Sequence, residues 1–450
     1  MKQLLVLSLF ALLAACAPVE TPVAPQSSQA QVSLNRFSGP PTPVRATRSN
    51  TDIAREFLDF HFELESGRAI PQFTRFEGPV SIAFAATPNT IESSELGQLV
   101  ARLRSEAGIP ISVAPTGSQA NILINRITRQ QLNSIVRGAA CFVVPNIQSY
   151  DGLRARNNAE IDWTQVQRRT RAGVFIPLGI SAQEFRDCIH EEVAQALGPL
   201  NDLYRVPDTV FNDDNMHRVL TSYDMMILRS TYSPILRSGM RRNQVAQLLP
   251  RVLSTTNPSG NGFGTRNLPK SQSDWKQAVG KSLFSERGNK ASASRAISLA
   301  GARGYGAPRT ALGYFTRGFA NASSNRDAAI SDFTRAYQLY SQSLGAGSIQ
   351  ANRAALQLAS VEISAGKLRN AEALITSATR SARGAQDAGL LYKLLGLQAV
   401  IATAKGNIAQ ADRHRAEAQG WAAYAIGTGS RFSSYFNLLD KRIAEIKGQS

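Results

Sequence analysis

The run Asn257-Pro258-Ser259-Gly260-Asn261-Gly262, with Gly264 close behind, offers no side chain to a hydrophobic core and no period that a helix or strand can use. It divides the 450-residue chain into two bodies of different character. Residues 1–15 form a removable signal, 16–50 a Pro-rich tether, 51–254 an α+β domain, 255–277 a Gly/Ser/Pro linker and 278–450 an α-helical repeat region.

In the first body a helical stripe runs through Ile53–Glu63, and Pro79-Val-Ser-Ile-Ala-Phe-Ala85 has the β-branched alternation of a strand. A helix is expected at Ser94–Glu106, and strands at 111–113, 120–124, 141–144 and 173–177. Ser181 and Glu184 then make a capping box for a helix that Gly198-Pro199 ends. In the second body three comparable units, Ala328–Phe333, Arg369–Leu374 and Ala409–Asp412, each follow a turn and recur about every 40 residues.

Export is written at the start. Met1-Lys2 is positive, Leu4 to Leu13 is apolar but too short to span a bilayer, and Ala14-Ala15 suits a signal peptidase. Leu13-Ala14-Ala15-Cys16 resembles the lipobox of bacterial lipoproteins, which implies that Cys16 is lipidated and becomes the N-terminus. Ala17 stands where that family places the Asp that retains a protein at the inner membrane, so the periplasmic face of the outer membrane is expected. With Cys16 used, Cys141 and Cys188 remain in an oxidising compartment, as a disulfide or, alternatively, as two buried thiols.

The net charge of +17 is uneven. Residues 51–250 carry 20 Lys and Arg against 21 Asp and Glu, and residues 251–450 carry 26 against 11. The arginines are scattered without aromatic interleaving and no nucleic-acid motif accompanies them, which argues against a nucleic-acid partner.

Chemistry concentrates in Asp187–Asp202. This segment resembles the zinc helix of metzincin-type peptidases, HExxHxxGxxH or HExxHxxGxxD. Aligned on Gly198, Glu192 takes the catalytic glutamate's place, and the ligand positions fall on Glu191, Gln195 and Asn201, with Asp202 beside them. His190 falls off that face, because each helical residue turns by about 100°. One carboxylate and two neutral amides suit zinc poorly, so no cofactor is expected; zinc and the harder calcium are the two ions to consider. Asn212–Asn215 adds further oxygen donors, which capping and turn formation also explain.

Stretches across residues 52–250 are similar to the bacterial family called domain of unknown function 2927, a divergent metzincin-like branch. They include Phe62–Gly67, Arg75–Pro79, Cys141–Pro145, His190–Gly198, Val210–Asp214 and Leu220–Arg229. The resemblance implies a methionine turn filled by Met225 or Met226. Residues 310–420 resemble a lengthened tetratricopeptide repeat, which implies a docking surface for an envelope protein. The expectation is a pseudoenzyme on a lipid anchor; the alternatives are a metal-dependent peptidase or amidase with Glu192 as base, and a glycan hydrolase pairing Glu191 or Glu192 with Asp202 or Asp214.

Cys16→Ser should shift the protein from outer-membrane fractions into the soluble periplasm or leave it unprocessed. Continued membrane partitioning without another anchor would show that the signal has been misread.

Overall fold

The computed structural model describes residues 36–44, 47–283 and 289–447. The signal, Cys16 and the first part of the tether lie outside the described residues. The chain forms two compact units, one spanning Ser38–Asn267 and one taking Leu268 onward together with Phe37.

The first unit opens with α1 (Asn50–Phe62), started by the Ser49 hydroxyl, which accepts the Asp52 N–H. Next come β1 (Val80–Phe84), α2 (Thr90–Ser105), β2 (Ile111–Val113), β3 (Ile122–Ile127), α3 (Arg129–Ile135), β4 (Phe142–Pro145) and α4 (Tyr150–Ala155). β5 (Ala172–Pro177), α5 (Ala182–Leu197), α6 (Ser222–Thr231) and α7 (Arg242–Thr256) complete it. The strand order is β2-β1-β3-β5-β4, with β4 antiparallel to β5 and every other pairing parallel. The expected α+β segregation is therefore corrected to a mixed α/β sheet. Parallel strands need crossovers, and helices supply them.

Both faces of the sheet are covered, which is why β5 is buried along its whole length. Val174 and Ile176 enter the main core with Ile53, Phe57, Leu99, Ile189 and Val193, while Phe175 between them enters a smaller core with Leu132, Phe142 and Leu153. Gly173 is required at its place, since a Cβ there would lie 2.2 Å from the Ile147 carbonyl oxygen.

Two segments read from composition as loose are held. Asp52 accepts the N–H groups of Arg266 and Asn267, and Asn50 exchanges hydrogen bonds with Asn257 and Asn261. Gly260 is buried against Asn50. At the tether's end Arg48 is buried between Glu56, 3.2 Å away, and Asp208, 2.7 Å away. Polar side chains here replace the apolar burial that the composition lacks.

The second unit is all helix: α8 (Ser273–Leu283), α9 (Lys290–Ala302), α10 (Ala307–Ala322), α11 (Arg326–Leu344), α12 (Ile349–Ser364), α13 (Leu368–Gly384), α14 (Ala388–Ala404), α15 (Ile408–Ile426) and α16 (Ser430–Lys447). Three successive pairs, α10/α11, α12/α13 and α14/α15, are each joined by a tight turn, and the repeated units begin the second helix of each pair. Arg317 pairs with Asp332 and Arg353 with Asp387, both at 2.6 Å. Phe37 is buried here, its ring stacked on Trp421 at 4.4 Å and set edge-on to Tyr424 at 6.0 Å.

Cys141 and Cys188 are disulfide-bonded across 47 residues, tying the chain just before β4 to the middle of α5. Replacing both by Ser should lower stability by about 4 kcal/mol, the chain-entropy value for a loop of that length, as read by urea unfolding of oxidised protein.

Candidate functional site

Helix α5 carries the residues that the sequence singles out, and it is fixed at both ends. The Ser181 hydroxyl accepts the Glu184 N–H while the Glu184 carboxylate accepts the Ser181 N–H, closing the expected capping box. Arg186 makes a fully buried ion pair with Glu95 of α2 at 3.1 Å. At the C-terminus the buried Arg169 guanidinium donates to the carbonyls of Gln195, Ala196 and Gly198, and from its other side to the Thr74 hydroxyl. It also stacks over Trp163 at 4.7 Å. Burial lowers its pKa to about 10, which leaves it charged against the negative end of the helix dipole. Gly198 permits a close approach: a Cβ there would stand 3.0 Å from Thr231 and 3.1 Å from the ring of His61.

Glu191 and Gln195 lie half-buried one turn apart, on one face of α5. Asn201 is buried, and its side-chain amide donates to the Asp59 carbonyl at 3.1 Å, which stitches the loop after α5 to α1. Glu192 and Asp202 are buried, and each has a carboxylate oxygen, Oε2 and Oδ1 respectively, with no hydrogen-bond partner among the described residues. Burial raises the Glu191 pKa to about 7, with the charges of Glu65, Asp187 and Asp213 adding to it and Arg218 opposing. Burial, then Glu191 and Glu65, pushes Glu192 well above the carboxylate range. The same forces act on Asp202, with Asp213 added. These acids repel across the site without converging on one point: among the described residues no group of three or more His, Cys, Asp or Glu is placed to hold a metal ion.

His190 is buried, and its Nδ1 accepts the Leu220 N–H at 3.2 Å. Burial, then the charges of Arg186 and Arg102, holds it neutral. Met225 and Met226, which the resemblance assigns to a methionine turn, are buried in α6, where Thr221 and Asp224 form the capping box that starts the helix. Asp214 accepts the Met216 N–H and Asn212 the Asp214 N–H, both at 3.0 Å, so these side chains build turns. Sequence reasoning missed Arg169 and the acid Glu65, while Asp213 belongs to the Asn212–Asn215 cluster it had noted. Arg168-Arg169 after Trp163 carries no motif, and Glu65 is distant in the chain.

Residues 50–251 match the model of a family described as a protein of unknown function (DUF2927). No curated protein and no solved structure matches the chain. Among the described residues no helix is long and apolar enough to cross a membrane.

The raised carboxyl pKa values set a pH dependence. Stability from these groups is complete below the unfolded pKa, near 4, and is lost as pH rises through the folded value, about 7 for Glu191. The urea midpoint should therefore fall between pH 5 and pH 8. Glu192→Gln combined with Asp202→Asn should flatten that slope and raise stability at pH 8 by roughly 1–3 kcal/mol. An unchanged slope would place its origin elsewhere.

Proposed function

Taking the family match over residues 50–251 as the premise, we propose that this is a non-catalytic, lipid-anchored envelope protein. In this reading the α/β unit is a metzincin-like domain whose metal site has degenerated, Cys16 fixes the chain to the outer membrane, and the helical unit docks a protein partner. The observation that carries it is the donor set on α5. Catalytic zinc is held by three protein ligands, most often imidazoles, with water in the fourth position. Here the three aligned positions offer Glu191, Gln195 and Asn201, one carboxylate and two neutral carboxamides, and the helix's own histidine is turned to accept the Leu220 N–H. These residues do not fit zinc. Without it, water keeps a pKa near its bulk value and Glu192 alone does not make it a competent nucleophile.

The three helix pairs support the docking assignment, since stacked antiparallel pairs present an extended face of the kind tetratricopeptide-like arrays use. The divergent peptidase or amidase remains the second reading because the unpartnered Glu192 oxygen is what a general base needs.

Protein purified without chelator should contain no stoichiometric zinc by elemental analysis and should cleave no general protein substrate. Glu192→Gln should leave the physiological role intact. One zinc per chain, lost together with activity in Glu191→Ala or Gln195→Ala, would move the peptidase reading to first place.

A further inference from the structure

Besides the acids of α5, the first unit holds an open cavity of about 560 Å³. Its walls come from four separate places in the chain: Gln72, Asn146 after β4, the Gln165–Thr170 loop before β5, and Ser238-Gly239 after α6. Four lining residues carry side-chain carboxamides, Gln72, Asn146, Gln165 and Gln167, and two carry hydroxyls. Among the lining residues Arg168 alone is charged, no carboxylate is present, and Val166 is the one aliphatic side chain.

The backbone beneath these groups is pinned. Asn146 N–H donates to the Arg171 carbonyl at 2.9 Å and its side-chain amide to the Glu160 carbonyl at 2.8 Å. Gly239 N–H reaches the Phe73 carbonyl at 3.0 Å, and Ser238 N–H reaches the Glu77 carboxylate at 2.6 Å. Arg169, the neighbour of Arg168, is locked beneath α5. In contrast, Gln165, Gln167, Arg168 and Thr170 are exposed. The Gln72, Asn146 and Gln165 amide groups and the Ser238 hydroxyl are held by internal hydrogen bonds, and the exposed ends of Gln167, Arg168 and Thr170 stand on this fixed wall, a preorganised arrangement.

The wall chemistry selects its ligand. An apolar molecule finds little apolar surface, and a cation meets only Arg168. Carboxamides both donate and accept, which suits hydroxyl and acetamido groups, whereas a guanidinium suits a carboxylate through paired hydrogen bonds. We propose that this cavity binds an N-acetylated saccharide bearing one carboxylate, as in the glycan of the bacterial cell wall. The choice of an envelope glycan rests on the export reading above; the cavity's chemistry does not.

The test uses the intact protein in detergent, titrated by calorimetry and saturation-transfer NMR with the N-acetylglucosamine–N-acetylmuramic acid disaccharide. Chitobiose, which lacks the lactyl carboxylate, is the comparator. The acidic disaccharide should bind about tenfold or more tightly than chitobiose, as loss of a charge-assisted pair implies. Arg168→Gln should erase that preference, and Gln167→Ala should weaken both sugars. Both positions are exposed, so folding should be unaffected, which circular dichroism checks. Absence of saturable binding, equal affinity for the two sugars, or displacement by acetate at the disaccharide's own concentration would each overturn the proposal. Failure of the export reading would show instead in the fractionation of Cys16→Ser.

Discussion

Three hydrogen bonds from one guanidinium hold the C-terminal end of α5 in place. The last carbonyls of a helix have no partners of their own, and burying them costs free energy unless something donates to them. Arg169 donates to three of these carbonyls and braces itself on Thr74 and Trp163, so the C-terminal end of α5 enters the interior without orphaned acceptors. The disulfide at Cys188 and the Arg186–Glu95 pair then settle the rest of the helix. Everything that α5 presents, Glu191, Glu192 and Gln195 included, has its position from these contacts.

Much of this was legible in the sequence because it was local. The Ser181 box, the Gly198 stop and the strand at 111–113 depend on neighbours within a few residues, and the structure has them as expected. The β5 strand was found from its apolar run, but its parallel pairing with β3 joins residues some fifty apart, which no short window contains. Polar burial was the larger omission. Arg48, Asp52, Glu56 and Asp59 look solvated in the sequence, yet all are buried in a shared network around α1, so segments that composition marks as tether and linker are packed. At α6 the signal is local again: the box of Thr221 and Asp224, three residues apart, starts the helix that buries Met225 and Met226.

The acids on and just after α5 face a low-dielectric interior. Glu192 and Asp202 are buried, and each has a carboxylate oxygen with no hydrogen-bond partner among the described residues. They then persist in protonated form, a compact arrangement that tolerates burial better than charge does. His190, buried on the same helix, joins α5 to the residues just before α6 by accepting the Leu220 N–H.

Phe37 gives the chain path an unusual order. Its ring belongs to the helical unit, against Trp421 and Tyr424 of α15, while the residues that directly follow it, Ser38–Asn267, form the other unit. In chain terms the α/β unit is an insertion within the helical one. Synthesis delivers the N-terminal part first, so the inserted unit is complete while the seat for Phe37 has yet to be made. The helical unit can close only after α15 has arrived. A chain stopped before that helix leaves Phe37 without Trp421 and Tyr424, which makes burial of its ring a mark by which a finished molecule differs from an interrupted one.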